Sequence, residues 1–113
     1  MVLKSPSNLG GLKMKLYEIL LPVTNGYARH MEFREYVSQV VGGYTQCPTV
    51  DGSWLNPFSK KYELDKLVPY RVATTATMWR LIVRKAFELF PEEDAIMHSE
   101  LGNATIENRR NAA

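Results

Sequence analysis

The fold of this chain is decided by residues 42–54, Gly42-Gly43-Tyr44-Thr45-Gln46-Cys47-Pro48-Thr49-Val50-Asp51-Gly52-Ser53-Trp54. The two glycines follow residues 28–41, where apolar side chains recur at helical spacing, and glycine readily adopts the left-handed conformation that ends helices. Residues 44–50 have the composition of a strand, although Pro48 favours an edge position or a strand end. Asp51-Gly52 is a strong hairpin-turn signal. We therefore expect a helix, a strand, a turn and another strand in this order.

The segments on either side complete the pattern. Residues 15–23 predict a strand that is largely apolar on both faces, as a central strand would be. A longer strand is predicted over residues 62–73, and a helix over residues 76–90 with Thr74 or Thr75 as its N-cap. A last strand is expected over residues 94–101, followed by a turn at Gly102-Asn103.

The predicted order β-α-β-β-α-β is that of a ferredoxin-like α+β fold, an antiparallel sheet with two helices on one face. The other face of this sheet is expected to be apolar and uncovered, which predicts a homo-oligomer, a dimer or a trimer, that buries it. Dimeric α+β barrels and PII-like trimers bury such a face in this way. We expect a flexible N-terminal arm over residues 1–14, a single domain over residues 15–107 and a frayed tail over residues 108–113.

Charge and composition exclude several classes of protein. The formal net charge is +2, and lysine and arginine are spread along the chain, so nucleic acid is not expected as a partner. No apolar run approaches the roughly 20 residues that a membrane span needs. The single Cys47 excludes an internal disulfide and a cysteine-rich zinc site. No phosphate-binding glycine loop is present, and no cofactor is expected. Residues 1–15 have no continuous apolar core and lack the pattern of a secretory signal, so the expected location is cytoplasmic.

Two groups of residues are candidates for ligand binding. Tyr44 and Trp54 could stack a planar ligand, or could be packing residues at the sheet or at a subunit interface. Arg71 alternates with Tyr70 on the third predicted strand, which pairs with the first in a ferredoxin-like sheet. Arg71 could therefore meet Glu18 across the sheet, as an interface ion pair or as part of an anion site.

A third group is a candidate for catalysis. His98 and Glu100 lie two residues apart on a predicted strand and so share a face. That arrangement suits a general acid/base pair, or a polar edge or interface position. No third ligand is evident in the sequence, so no metal site is expected.

The string Gly43-Tyr44-Thr45 and, after it, Gly52-Ser53-Trp54 resembles a pattern in short bacterial and phage proteins of unknown function. In those proteins G-x-T follows the first helix and G-x-W closes the hairpin. The resemblance could cover residues 15–107, and it implies a ferredoxin-like or PII-like fold without an established activity. Some small phage enzymes that degrade S-adenosylmethionine use PII-like scaffolds, but no residue motif carries that activity over to this chain.

Three hypotheses of function follow from the sequence. The leading one is a non-enzymatic, oligomeric protein that binds a small molecule or acts in regulation, with its pocket where subunits meet and with Tyr44, Trp54, Tyr70 and Arg71 as ligand-binding residues. The second is a small enzyme of the α+β-barrel type with His98 and Glu100 as its acid and base. The third is a protein-interaction module.

Overall fold

The computed structural model describes residues 14–23, 26–107 and 109. Its elements are β1 (Met14–Pro22), α1 (Tyr27–Val41), β2 (Thr45–Gln46), β3 (Val50–Leu55), β4 (Tyr62–Thr74), α2 (Ala76–Leu89) and β5 (His98–Ala104). The predicted flexible arm, residues 1–14, falls outside the described residues except for Met14, with which β1 begins. The predicted frayed tail, residues 108–113, also falls outside them except for Arg109.

The sheet is antiparallel and has the strand order β2-β4-β1-β5, with β3 also paired to β4. Leu67 of β4 pairs with Pro22 of β1 and with Val50 of β3, so these two strands lie on opposite edges of β4. Strands β2 and β3 together take the place of one predicted strand, which is interrupted at residues 47–49. The architecture is ferredoxin-like α+β, as the sequence predicts.

Both helices pack on one face of the sheet and form a single core with it. The core residues of the strands alternate with residues of the opposite face, as strand geometry requires. The buried apolar side chains of this core are Tyr17, Ile19 and Leu21 of β1, Val68, Tyr70 and Val72 of β4, Phe33, Val37 and Val41 of α1, Trp79, Ile82, Val83 and Ala86 of α2, and Phe90 just after α2.

The helix ends follow from capping residues. Gly42 adopts the left-handed conformation with φ of 94°, and its N–H donates to the carbonyl of Ser38 at 3.0 Å. At the start of α2, the hydroxyl of Thr75 accepts a hydrogen bond from the N–H of Met78 at 3.3 Å, which satisfies one of the free donors of the first turn. Neither described helix is long and apolar enough to cross a membrane.

The predicted turn at Asp51-Gly52 is wrong, because both residues lie inside β3, paired with Lys66 and Asp65 of β4. A Cβ atom at position 52 would lie 2.8 Å from Cδ1 of Leu67, so a glycine here accommodates a cross-strand side chain. The chain turns instead at residues 56–61. There Oδ1 of Asn56 accepts hydrogen bonds from the N–H groups of Phe58 and Ser59, as asparagine does in turns.

The predicted turn at Gly102-Asn103 is also wrong. Both residues belong to β5, which begins at His98 and extends to Ala104. The register between β1 and β5 shifts between Leu16 and Tyr17, and opposite this irregularity Gly102 has a φ of 149°. The glycine therefore permits a bulge in a continuing strand.

Strand β3 and the first half of β4 form a hairpin that extends beyond the end of β1, since β1 pairs with β4 only from Leu67 onward. We call residues 50–66 the hairpin arm. Its projection is consistent with the elongated dimensions of the molecule, 56 × 26 × 24 Å. Several of its large apolar side chains are exposed: Val50, Trp54, Leu55, Phe58, Tyr62 and Leu64.

The neighbouring glycines at the end of α1 give a test of the helix stop. Space is open for a methyl group at both, but Gly42 has a positive φ and Gly43 does not. Gly42→Ala is expected to lower the free energy of unfolding by about 1–2 kcal/mol, because an L-residue is strained there. Gly43→Ala is expected to change it by less than about 0.5 kcal/mol, or to raise it slightly. Urea denaturation measures both, and equal effects of the two substitutions would contradict the assigned helix end.

Candidate functional site

The residues that the sequence singles out lie at three separate places. Tyr44 and Tyr70 are in contact beside α1. Trp54 and Arg71 lie on the face of the sheet that the helices leave uncovered, Trp54 on its extension into the hairpin arm. His98 and Glu100 lie on the edge strand β5.

A groove beside α1 is the candidate ligand site. It has a volume of about 340 Å³ and opens to solvent, and it is lined by Met31, Arg34, Glu35, Ser38, Gln39 and Tyr44. Four of these residues, at positions 31, 34, 35 and 38, form one stripe of the helix because they are three or four positions apart. The ring of Tyr44 packs edge-to-face against that of Tyr70, with centroids 5.9 Å apart. Tyr44 therefore connects the lining of the groove to the buried core.

A buried polar network lies under the groove. The hydroxyl of Tyr70 lies 2.7 Å from Nδ1 of His30, and Nε2 of His30 lies 2.8 Å from the carbonyl oxygen of Pro22. A carbonyl oxygen can only accept, so Nε2 of His30 carries the proton and Nδ1 accepts from Tyr70. The oxygen of Tyr70 in turn accepts from Nη1 of Arg34 at 3.3 Å. The network therefore runs in one direction from the groove to the end of β1.

Burial sets the protonation state of this network. Desolvation lowers the pKa of His30, the hydrogen bond to Pro22 opposes this shift, and the positive charge of Arg34 adds to it. Desolvation also raises the pKa of Tyr70, against the hydrogen bond from Arg34. The neutral histidine and the neutral tyrosine that the hydrogen bonds require are thus the favoured forms.

Glu18 and Arg71 form the cross-strand ion pair that the sequence predicts. They are register partners in β1 and β4, and Nε of Arg71 donates to Oε2 of Glu18 at 3.0 Å. This hydrogen bond is the main cause of a raised pKa of Arg71. The pair lies on the uncovered face of the sheet, and ligand binding by Arg71 stays a prediction.

The uncovered sheet face is otherwise largely apolar. Along β1 and β4 the ion pair is flanked by side chains that alternate with the core residues: Leu16, Leu20, Leu67, Pro69 and Ala73. The same face continues into the hairpin arm through Val50 and Trp54. Nε1 of Trp54 donates to Asp65 at 3.2 Å, and 43% of the tryptophan is exposed. A ligand-binding role of Trp54 stays a prediction.

His98 and Glu100 have different partners. Nδ1 of His98 accepts a hydrogen bond from Nε1 of Trp79 at 3.3 Å, and the carboxylate of Glu100 pairs with Lys15 at 3.3 Å. Both residues are exposed, and neither lines the groove. Their catalytic role stays a prediction.

Sequence reasoning missed His30 and Arg34 as site residues. His30 shares the spacing of Phe33 and Val37, which predicts a buried histidine on the core stripe of α1. Arg34 occurs on the polar side of the helix, and only the tertiary structure brings it to Tyr70.

In the described part of the chain, no three His, Cys, Asp or Glu side chains are placed to hold a metal ion together.

No family model and no curated protein matches the chain. Solved structures share its fold, and two of them are similar over most of this chain. A Bacillus cereus protein related to NIF3 matches with a TM-score of 0.62 and 12% identity, over 81% of this chain and 26% of that one. The chain thus spans about a quarter of that protein's length. The divalent ion tolerance protein CutA1 from Ehrlichia chaffeensis matches with a TM-score of 0.59 and 12% identity, over 88% of this chain and 90% of that one. These similarities support the ferredoxin-like α+β fold.

The buried network predicts a pH dependence of stability. The pKa of His30 is lower in the folded than in the unfolded state, so the unfolded chain binds more protons as the pH falls below about 6.5. The contribution of His30 to the free energy of unfolding is therefore complete above about pH 6.5 and decreases below it. Urea denaturation between about pH 7.5 and about pH 5.5 is expected to show a smaller loss of stability for His30→Gln than for the wild type.

His98→Gln is the matched control, because it leaves the buried network intact. Ring-proton NMR of the two histidines gives an independent readout, with a titration midpoint for His30 below its ordinary value of about 6.5. A midpoint at or above that value would contradict the assigned hydrogen-bond directions.

Proposed function

We propose that this protein is a homo-oligomeric, small-molecule-binding protein that acts in regulation, with the groove beside α1 as its ligand site. The observation that carries the proposal is the sheet face that neither of the two described helices covers. The central strand β1 has apolar side chains on both faces, and the two helices account for only one of them.

A second copy of the chain fits the uncovered face best. Exposing apolar area costs about 25 cal/mol per Å², so a broad apolar face favours association. The Glu18–Arg71 pair neutralises the charge at the centre of this face, which lowers the cost of burying it. Both a dimer and a trimer can bury such a face.

The hairpin arm supports self-association. Its residues Val50 and Trp54 continue the uncovered face of the sheet, while Leu55, Tyr62 and Leu64 lie on its opposite side. An isolated two-stranded hairpin is only marginally stable in water. An arm that exposes large apolar side chains on both sides is best stabilised between its own sheet and a neighbouring copy, and its Val50 and Trp54 are continuous with the sheet face.

The groove supports the small-molecule part of the proposal. It combines an aromatic side chain, Tyr44, with the half-buried Arg34, whose guanidinium is held in place by Tyr70. Pockets that bind small molecules typically combine apolar walls with a few oriented polar groups.

We also propose that the chain is related to the short proteins that its Gly43–Trp54 string resembles, and that it acts in the cytoplasm.

Leu20→Asp tests the association. Leu20 is half-buried on the uncovered face, and a carboxylate at this position would be desolvated in an interface. We expect the wild type to be oligomeric at micromolar concentration, and the substitution to weaken association by at least about tenfold. Light scattering after size-exclusion chromatography measures the mass.

Leu81→Asp introduces the same change at an exposed position of α2 and is the matched control. Circular dichroism verifies that both variants are folded. A monomeric wild type at micromolar concentration, or equal effects of the two substitutions, would contradict association through the sheet face.

A further inference from the structure

We infer that the groove beside α1 binds a free amino acid with an apolar or aromatic side chain. This inference rests on the proposed function, since it assigns a chemical class to the ligand of the same groove. It depends on the two opposite charges that line the groove, Arg34 and Glu35.

Arg34 is suited to bind a carboxylate. Its Nη1 donates to two acceptors, the hydroxyl of the buried Tyr70 at 3.3 Å and Oε1 of the exposed Gln46 at 3.4 Å. Among the described residues its Nε and Nη2 have no acceptor, and no carboxylate pairs with it. The guanidinium therefore keeps free donors in a held orientation, which is the arrangement that binds carboxylates with two hydrogen bonds.

Glu35 is suited to bind an ammonium group. It is exposed and lines the same groove, and no cation within the described ranges forms a salt bridge with it. Consecutive helix residues diverge by about 100°, so Arg34 and Glu35 approach the groove from different directions. An α-amino acid carries its carboxylate and its ammonium group on one carbon atom, and this matches two neighbouring opposite charges.

The rest of the lining fits the remainder of such a ligand. Met31 and Tyr44 provide an apolar wall of a thioether and an aromatic ring, which pack well against apolar and aromatic side chains. Ser38 and Gln39 add uncharged hydrogen-bonding groups. The volume of about 340 Å³ suits a small ligand and lies at the lower end of the usual range for ligand pockets.

The pair of charges also selects against other ligands. A simple anion would be attracted by Arg34 but repelled by Glu35. A simple amine would be attracted by Glu35 but repelled by Arg34. A zwitterion places an opposite charge beside each of them, so it avoids the repulsion that each singly charged ligand meets.

Three matched probes test the charge requirement. Phenylalanine carries both charged groups, 3-phenylpropionate lacks the ammonium group, and 2-phenylethylamine lacks the carboxylate. Titrations of the uniformly ¹⁵N-labelled protein followed by NMR are expected to shift the amides of Arg34, Ser38 and Tyr44. At least one of phenylalanine, leucine and methionine should bind, and for phenylalanine each singly charged analogue should bind at least about tenfold more weakly.

Substitutions assign the two roles. Arg34→Gln is expected to abolish the preference for phenylalanine over 2-phenylethylamine, and Glu35→Gln to abolish the preference over 3-phenylpropionate. Arg84→Gln and Glu107→Gln make the same changes at exposed positions that do not line the groove, and should leave binding unchanged. Tyr70→Phe removes the hydroxyl that positions Arg34 and should weaken amino acid binding while keeping both preferences in the same direction.

The outcomes separate this inference from the function on which it rests. If 3-phenylpropionate or inorganic phosphate shifts the groove amides as strongly as the amino acids do, the amino acid assignment is overturned, and small-molecule binding in the groove stands. If none of the three amino acids and neither analogue nor phosphate shifts these amides, both the assignment and the groove as a ligand site are overturned. Charge preferences that survive Arg34→Gln and Glu35→Gln would also overturn the assignment.

Discussion

The structure depends on one constraint, which is that the central strand β1 must be covered on both faces while the fold supplies helices for one. Tyr17, Ile19 and Leu21 are buried under the helices. Leu16 and Leu20 alternate with them and are left half-buried at the opposite face. Because side chains alternate along a strand, no change of register can hide both sets. The proposed association of copies and the position of the Glu18–Arg71 pair both follow from this mismatch.

The polar network under the groove connects the side of α1 that lines the groove to this core. His30 links the helix to the end of β1, Tyr70 lies at the centre of the core, and Arg34 carries the network to the surface. Buried polar groups are costly unless they are paired, and the buried side chains of His30 and Tyr70 have partners of the required type. The hydrogen bond between Arg34 and Tyr70 connects the proposed ligand site to the buried core.

Much of the fold could be predicted from the sequence because it depends on local chemistry and on periodicity. The stop of α1 at Gly42, the cap of α2 at Thr75 and the pairing of Glu18 with Arg71 are of this kind. Nothing in the local sequence argues against a turn at Asp51-Gly52. Only the pairing of these two residues with β4, and the closeness of Leu67 to Gly52, show that they lie in a strand. The groove could not be predicted from the sequence either, because Arg34 and Tyr70 are 36 residues apart and meet only in the folded chain.

We propose that the uncovered sheet face and the hairpin arm are buried between copies of the chain. Trp54 reports on this surface directly, since it is 43% exposed in the isolated chain whereas Trp79 is 5% exposed. Acrylamide quenching of tryptophan fluorescence over a dilution series from micromolar to nanomolar protein is the most direct measurement. Trp54 is expected to be shielded at micromolar concentration and to become accessible on dilution. Quenching of an accessible Trp54 that does not change with protein concentration would contradict it.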